Sequence, residues 1–383
     1  VRSLDVQLAG RYEDFSDIGS KAVPKIGIGW QVDDEVMFRG SWSKGFRAPN
    51  LIQINESIGA RQIYGVDALL CLQQINNNGT IDYCDYSLQK IARGSGELKA
   101  EESTNFSIGV VYEPKSIRNL IFTLDWWKIE KEDTIGLFGE DNIMLTDLVL
   151  RMESNNLTDC SLVQSSPFVF REDPDEGQIE DYLNAGICPA GRVSRVEESY
   201  QNLDTRILSG FDVSLYYSLK SSLGNFKFAL NIAKLEEFKQ QAGNDFIKLI
   251  DAQEKNIIPK ELAISGFSDL LEKDGSPEMQ ASIRFLWSNG PLGLGFFAKH
   301  VGEFYETRNR LSDGTLWTVE DYNTINGHID YNLNVNYANS RIRLGINNIT
   351  DERAPLASDI FGYYFDKHDN LGRYYYIDLS YKF

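Results

Sequence analysis

The chain has 383 residues and a formal net charge of -18, which gives a sequence pI of about 4.7. Binding of nucleic acid needs clustered Lys and Arg, so this acidic balance argues against nucleic acid as a partner. The mean hydropathy is -0.33, and no run of about 18 apolar residues predicts a transmembrane helix. A membrane β-barrel is still compatible with these values, because an alternating strand exposes only half of its residues to lipid.

Twelve segments alternate apolar and polar side chains with a period of two, which predicts β-strands with two different faces. In chain order they cover residues 4–12, 26–32, 36–42, 106–112, 120–128, 211–219, 226–232, 279–287, 292–296, 329–337, 342–347 and 372–383. Short turns and long loops alternate between them, and the long loops cover about residues 48–99, 133–204, 239–277, 308–316 and 348–371.

This alternation of short and long connections distinguishes a membrane β-barrel from soluble β-folds. A soluble sandwich has no reason for it, and no short fixed repeat indicates a propeller. Membrane barrels place short turns on the periplasmic side and long loops outside the cell. The sequence therefore predicts an all-β fold, an antiparallel transmembrane β-barrel.

The last predicted strand shows the two faces most clearly. One face is wholly apolar and consists of Tyr375, Ile377, Leu379, Tyr381 and Phe383. An ordinary sandwich strand has the same alternation, so this strand alone decides nothing. It resembles the C-terminal strand of bacterial outer-membrane barrels, and the resemblance implies that Phe383 is read by the barrel-assembly machinery.

Two further motifs support a narrower resemblance. The third strand ends in Lys44, Gly45, Phe46, Arg47, Ala48 and Pro49, which resembles a "Ser-Lys-Gly-Phe-Arg-Ala-Pro" run of TonB-dependent outer-membrane receptors. Leu98-Lys99-Ala100-Glu101 is similar to their "Leu-Lys-Pro-Glu" run, with Ala100 where proline is usual. Residues 344–351 resemble their penultimate strand, which normally ends in Asn-Leu-Phe-Asp.

The resemblance implies a 22-stranded barrel with a plugged lumen. Residues 1–383 would supply about its last twelve strands without the plug domain. The chain begins inside a strand-like pattern and shows no signal peptide, so we expect it to be the C-terminal piece of a longer protein.

Such receptors lie in the bacterial outer membrane, in contact with its lipid. They bind a scarce nutrient, either an iron–siderophore, cobalamin or an oligosaccharide, and import it with energy relayed by the TonB–ExbB–ExbD complex. The sequence does not choose among these cargoes. A passive porin is the first alternative, and a barrel-embedded hydrolase is the second.

The four cysteines lie in the first two long loops. Four cysteines allow three connectivities, and an oxidising cell surface favours disulfides. The simplest pairs are Cys71 with Cys84 and Cys160 with Cys188. Zinc is the alternative, but no Cys-x-x-Cys spacing supports it.

No other pattern predicts a catalytic group, a cofactor or a metal site. A hydrolase would need a Ser–His pair near the membrane edge. Of His300, His328 and His368, His328 falls on a polar strand face near Asp330, where a hydrogen-bonding role is the simpler interpretation. Residues 173–181 form an acidic loop cluster in which carboxylates could hold Ca²⁺, but no EF-hand spacing is present, so a solvated loop is the favoured interpretation.

Overall fold

The computed structural model describes residues 2–15, 18–55, 59–81, 84–311, 315–335, 338–359 and 361–382. The strands in chain order are β1 (Ser3–Phe15), β2 (Gly19–Gln31), β3 (Val36–Arg47), β4 (Gly59–Val66), β5 (Asp85–Arg93), β6 (Glu101–Tyr112), β7 (Leu120–Glu132), β8 (Thr134–Gly136), β9 (Val169–Arg171), β10 (Val193–Ser199), β11 (Gln201–Leu203), β12 (Arg206–Ser221), β13 (Gly224–Gln240), β14 (Ser268–Asp269), β15 (Met279–Asn289), β16 (Leu292–Val301), β17 (Phe304–Arg310), β18 (Leu316–Val319), β19 (Tyr322–Val335), β20 (Ala338–Asn347) and β21 (Tyr374–Lys382). The helices are α1 (Leu51–Ile54), α2 (Ala68–Asn78), α3 (Glu140–Glu153), α4 (Glu176–Asn184) and α5 (Asn244–Glu254), with a short 3-10 helix at Cys160–Leu162. Within the described ranges, none of the helices is both long and apolar enough to cross a membrane.

The twelve predicted strands form one continuous antiparallel sheet, here called the wall. Its order is β1-β2-β3-β6-β7-β12-β13-β15-β16-β19-β20-β21, and β14 pairs with β13 off this path. Over the described residues, β1 pairs with β2 alone and β21 with β20 alone. Within the described residues the wall is therefore an open sheet whose two edges are β1 and β21.

The register of the wall aligns apolar side chains into rows that cross many strands. One such row contains Leu4, Trp30, Phe38, Val110, Leu124, Val213 and Ile232. A second contains Leu219, Phe226, Trp287, Leu294, Ile329, Leu344 and Ile377.

Many of these apolar side chains face outward without protein cover. Leu8 is 74% exposed and Leu379 is 73% exposed. Water-soluble proteins rarely expose an apolar band of this extent, whereas a barrel presents one to lipid. The predicted strands and their two faces are confirmed, and we call this side the lipid face and the opposite side the inner face.

The connections divide between the two ends of the wall as predicted. The turns at residues 32–35, 113–119, 222–223 and 290–291 lie at one end. The five long loops at the other end cover residues 48–100, 133–205, 241–278, 302–321 and 348–373. One connection departs from the predicted alternation, because only three residues separate β1 from β2 at the long-loop end.

The first three long loops lie where the sequence predicts them, but they contain helices and strands that the sequence analysis does not predict. They fold together into a unit that we call the loop domain, with a sheet of order β4-β5-β10-β9 and helices α2, α3, α4 and α5. Its core is continuous across all three loops and contains Leu69, Leu88, Met144, Leu148, Val196, Leu249 and Ile258. In the fourth loop, β17 and β18 pair where a loop around residues 308–316 is predicted.

The terminal strand β21 lies where the sequence predicts it. Tyr375, Ile377, Leu379 and Tyr381 are all exposed on the lipid face. Phe383 lies outside the described residues, so its role as an assembly signal stays a prediction.

Candidate functional site

The inner face carries charged side chains that are paired across glycines. Arg39 of β3 donates from Nε and Nη2 to the carboxylate of Asp125 on β7, at 2.8 and 2.5 Å. Between them in register lies Gly109 of β6, where an added Cβ would come within 2.0 Å of an Asp125 oxygen. The missing side chain thus lets an ion pair span three strands, which fixes their register on the polar side.

A second cluster lies near the C-terminal edge of the inner face. Arg343 donates to both oxygens of Asp330 at 2.6 and 3.1 Å. His328 Nε2 lies 3.5 Å from the same carboxylate. The structure therefore places His328 beside Asp330, whose carboxylate is held by Arg343. The hydrogen-bonding role of His328 stays a prediction.

The two motifs that support the family resemblance meet at the base of the long loops. Arg47 Nε and Nη2 donate to the Glu101 carboxylate at 2.5 and 2.8 Å. Glu101 Oε1 also accepts the backbone N–H of Ile135 at 2.8 Å. One buried carboxylate therefore joins the end of β3 and the start of β6 to β8 in the second loop.

The other motif residues are placed around this pair. Gly45 lies on the inner face beside Ser103, Pro49 is buried and Ala48 is half-buried. Phe46 packs edge-on against Phe15 at 5.6 Å on the opposite side. Lys44 alternates with Gly45 and is exposed, so it shares a face with Phe46 and is not an inner-face charge.

The loop domain encloses a buried charge network that joins two of the loops. Arg171 of the second loop donates to both oxygens of Asp67 in the first loop, each at 2.9 Å. It also donates to Asp147 on α3 at 3.1 Å. All three side chains are almost fully buried, so the guanidinium balances two carboxylates that water does not reach.

Backbone and tyrosine groups complete this network. Tyr86 donates to Asp67 Oδ2 at 2.8 Å and accepts the N–H of Val193 at 2.7 Å. Burial opposes ionisation of Asp67, but the Arg171 charge and the hydrogen bonds outweigh it and hold the pKa of Asp67 below its usual value. Burial, reinforced by the Asp67 charge, raises the pKa of Tyr86. Asp67 therefore stays ionised and Tyr86 stays protonated near neutral pH.

The four cysteines form two disulfides in the loop domain, Cys71–Cys84 and Cys160–Cys188. These are the two local pairs that the spacing favours. Cys71 lies on α2 and Cys84 immediately precedes β5, so the first bond ties a core helix to the sheet. The second joins the 3-10 helix to the segment after α4. Each closure contributes about 3 kcal/mol in the chain-entropy model.

We expect non-reducing peptide mapping of the protein from outer membranes to show Cys71 linked to Cys84 and Cys160 linked to Cys188. The reason is that each pair closes a short segment whose ends the loop-domain fold already holds together, with Cα atoms 5.2 and 5.5 Å apart. Four free thiols, or a link between the two loops, would contradict the arrangement.

The acidic cluster of residues 173–181 has a structural role at one of its members. Asp175 begins α4, accepts the N–H of Gln178 at 2.9 Å and forms a capping box with it. No group of three or more metal-ligating side chains occurs in the part of the chain that the structure describes. The cluster is thus the exposed start of a helix.

Two cavities open in and beside the loop domain. The larger has a volume of about 710 Å³ and lies between α3, α5 and the end of β10. Its apolar lining includes Phe138, Ile143, Leu150 and Leu249. The second, of about 470 Å³, is bordered by residues of all five long loops. Volumes of this order accommodate drug-sized ligands.

His368 in the fifth loop is buried between two aromatic rings. It stacks on Phe304 with a centroid distance of 6.1 Å, and Tyr322 lies at 5.2 Å. Neither ring nitrogen has a hydrogen-bond partner in the described residues. Burial, together with the nearby Lys299 charge, lowers the pKa of His368 to about 4.

The fifth loop should therefore loosen as the pH falls. The folded-state pKa of His368 lies below the unfolded value of about 6.5, so its stabilising contribution is complete above pH 6.5 and is lost progressively towards pH 4. We expect a loss of about 2 kcal/mol at pH 5, measured by hydrogen exchange over residues 361–374 and corrected for the intrinsic rate.

His368→Phe keeps the stacking and removes the titration, so it serves as the control. Its protection should be the same at pH 7.5 and pH 5. Equal pH dependence in the parent and the variant would show that another group titrates.

The comparisons with known proteins agree with this architecture. The family described as "TonB dependent receptor-like, beta-barrel" matches residues 3–349. The chain belongs to the TonB-dependent receptor family. Its barrels lie in the bacterial outer membrane and are transporters, not enzymes, so the predicted family, location and non-enzymatic class are confirmed.

Individual relatives cover the receptor only in part. A probable TonB-dependent siderophore receptor, PirA of Acinetobacter baumannii, is 29% identical over 135 residues, which are 35% of this chain and 15% of PirA. The crystal structure of that siderophore receptor matches 99% of this chain with a TM-score of 0.58 and 17% identity, over 43% of its own length. The ferric enterobactin receptor PfeA of Pseudomonas aeruginosa gives a TM-score of 0.57 at 15% identity, over 42% of its own length. This TonB-dependent receptor chain thus spans less than half of the solved relatives, and these structural likenesses show the fold alone.

Sequence reasoning missed the residues that assemble the loop domain. Arg171 and Asp147 stand in segments without a strand pattern, and nothing in a period of two identifies them. A usable signal is the spacing of apolar residues on α3, where Ile143, Met144, Leu148 and Val149 recur at helical intervals.

Proposed function

We propose that this chain is part of an outer-membrane receptor that binds an iron–siderophore complex outside the cell and imports it with TonB-coupled energy. One observation carries the proposal: all five long loops lie at one end of a polar inner face, and the first three of them line a ligand-sized cavity of about 710 Å³ there. The similarity to PirA and PfeA, a siderophore receptor and a ferric enterobactin receptor, favours iron chelates over cobalamin or oligosaccharides as the cargo.

The partners follow from the same proposal. Import against a concentration gradient requires the TonB–ExbB–ExbD complex, and insertion of the wall requires the barrel-assembly machinery. The lipid face supplies the contact with outer-membrane lipid. Nucleic acid is no partner in this scheme, since the loops are acidic.

The test is uptake of radioactive iron by cells that carry this receptor as their sole siderophore receptor. We expect uptake from ferric siderophore to need both the receptor and TonB. A matched strain without TonB is the control. Iron uptake that persists without the receptor or without TonB would overturn the proposal. TonB-independent entry of small sugars would support a passive porin instead.

A further inference from the structure

We propose that the iron chelate taken by this receptor is uncharged or singly cationic and has an aliphatic body, as a ferric tris-hydroxamate has, and that a multiply anionic tris-catecholate is disfavoured. This inference rests on the proposed function and narrows it. It follows from the lining of the loop-domain cavity and from the charge of the long loops.

The cavity between α3 and α5 is lined by apolar groups with acidic groups among them. Aliphatic and aromatic side chains form much of its surface: Phe138, Ile143, Val149, Leu150, Phe168 and Leu249. Five acidic residues and two lysines, Lys248 and Lys255, border it, and arginine is absent from the described lining. Three of the five acidic residues form ion pairs with Lys or Arg, and Glu153 and Asp251 are the two that form none in the described residues. Recognition of a compact polyanion calls for forked Arg donors, which this cavity does not offer.

The neighbouring cavity strengthens the same conclusion. Its lining contains five carboxylates, from Asp141, Glu261, Asp274, Glu306 and Asp359, and no Lys or Arg among the described residues. A polyanion that enters the loop region would meet negative charge at both openings.

The long loops carry more negative charge than the whole chain. They contain 38 acidic and 17 basic residues, a net charge of -21, against -18 for all 383 residues. The wall and its short turns therefore carry a net charge of +3. The second long loop alone, with 15 acidic and 4 basic residues, contributes -11.

Much of this charge is not neutralised at the surface. Six acidic side chains around the start of α4 are exposed and form no ion pair with Lys or Arg in the described residues: Glu172, Asp173, Asp175, Glu176, Glu180 and Asp181. Two of the basic residues, Lys90 and Arg171, are buried in ion pairs. They offset buried carboxylates and leave the solvent-facing charge of the loops negative.

The negative electrostatic field of the long loops changes the rate at which a charged ligand associates with the receptor. It raises the association rate of oppositely charged ligands by about 10- to 1,000-fold at low salt and slows like-charged ones. The field is screened within about 8 Å at physiological ionic strength. The sign of the salt dependence therefore reports the charge of the preferred ligand.

The experiment compares three ferric complexes on the receptor purified from outer membranes. They are a linear tris-hydroxamate with a free terminal ammonium (charge +1), the same chelate after N-acetylation (charge 0), and a tris-catecholate (charge -3). Stopped-flow quenching of tryptophan fluorescence gives association rates at low and physiological salt. We expect the +1 complex to associate about tenfold faster at low salt than at physiological salt. The association rate of the neutral complex should be the same at both salt concentrations. The -3 complex should associate most slowly, and its rate should rise with salt.

A variant that neutralises the six exposed acidic residues around the start of α4 provides the matched control. E172Q/D173N/D175N/E176Q/E180Q/D181N removes six negative charges, and Asn at residue 175 still caps α4. We expect slower association of the +1 complex, an unchanged rate for the neutral complex and unchanged dissociation of both.

Failure of this inference and failure of the proposed function give different results. Tightest binding and TonB-dependent import of the -3 complex would overturn the ligand class while the siderophore receptor stands. Equal rates for all three charges would overturn the electrostatic selection. If none of the three complexes is bound or imported, the proposed function fails and the inference with it.

Discussion

Replacing Arg171 with Met should unfold the loop domain locally while the wall stays intact. The substitution keeps much of the apolar length of the side chain but leaves Asp67 buried without a cation and Asp147 with Arg151 as its cation. Removal of one partner from a buried ion network costs about 3–5 kcal/mol. At 1.4 kcal/mol per tenfold, amide exchange in α2 and α3 should become roughly 10²- to 10³-fold faster.

Hydrogen exchange with mass spectrometry on the receptor in detergent measures this change. Arg61→Met is the matched control, because Arg61 is exposed on β4 of the same small sheet. It should change stability by no more than about 0.5 kcal/mol. Equal protection in the two variants would mean that the apolar core alone holds the three loops together.

The wall could be predicted because lipid and water impose a simple rule on every strand. Side chains alternate between two solvents, so the period of two appears at the sequence level without knowledge of tertiary contacts. Residues 211–219 and 226–232 illustrate this, since both lie inside observed strands with the predicted faces. The ends were less predictable: β13 extends to Gln240, well beyond its apolar alternation.

The loop domain could not be predicted, because its stability comes from contacts between segments that are far apart in sequence. β5 and β10 pair in parallel although they belong to different loops. Asp67 and Arg171 are separated by 104 residues. Each segment alone is a short amphipathic helix or a strand of a few residues, which is marginal until its partners arrive.

The family motifs show an intermediate case. Arg47 and Glu101 were identified as motif residues, but their partnership across β3 and β6 was not. The register that makes them neighbours pairs Arg47 with Glu101 directly. A resemblance can name such residues, whereas their chemical role requires the pairing of the strands.

The lipid face makes the second large prediction, which concerns Leu124 on β7 and Leu215 on β12. Both belong to the apolar set that crosses the wall, Leu124 with Val110 and Val213 as neighbours and Leu215 with Phe122 and Leu230. Arginine at a lipid-facing position costs about 2–4 kcal/mol near the midplane and about 0–1 near the interfaces. We expect Leu124→Arg and Leu215→Arg each to make folding into bilayers less favourable by about 2–4 kcal/mol if their rows lie at mid-depth.

Thr123→Arg is the control that distinguishes the effect of membrane depth from the effect of the face on which the arginine lies. Thr123 is adjacent to Leu124 on β7, so it has nearly the same depth but lies on the inner face, next to Ser214 in register. There the long side chain can reach water and the carboxylates of the inner wall, so its cost should be far smaller. Urea titrations of folding into lipid vesicles, read by the heat-sensitive gel mobility of folded barrels, compare the three variants. If Thr123→Arg costs more than Leu124→Arg, the two faces have been assigned the wrong way round. If the two substitutions cost the same amount, both side chains are packed against protein. If neither costs anything, β7 does not cross the hydrocarbon core.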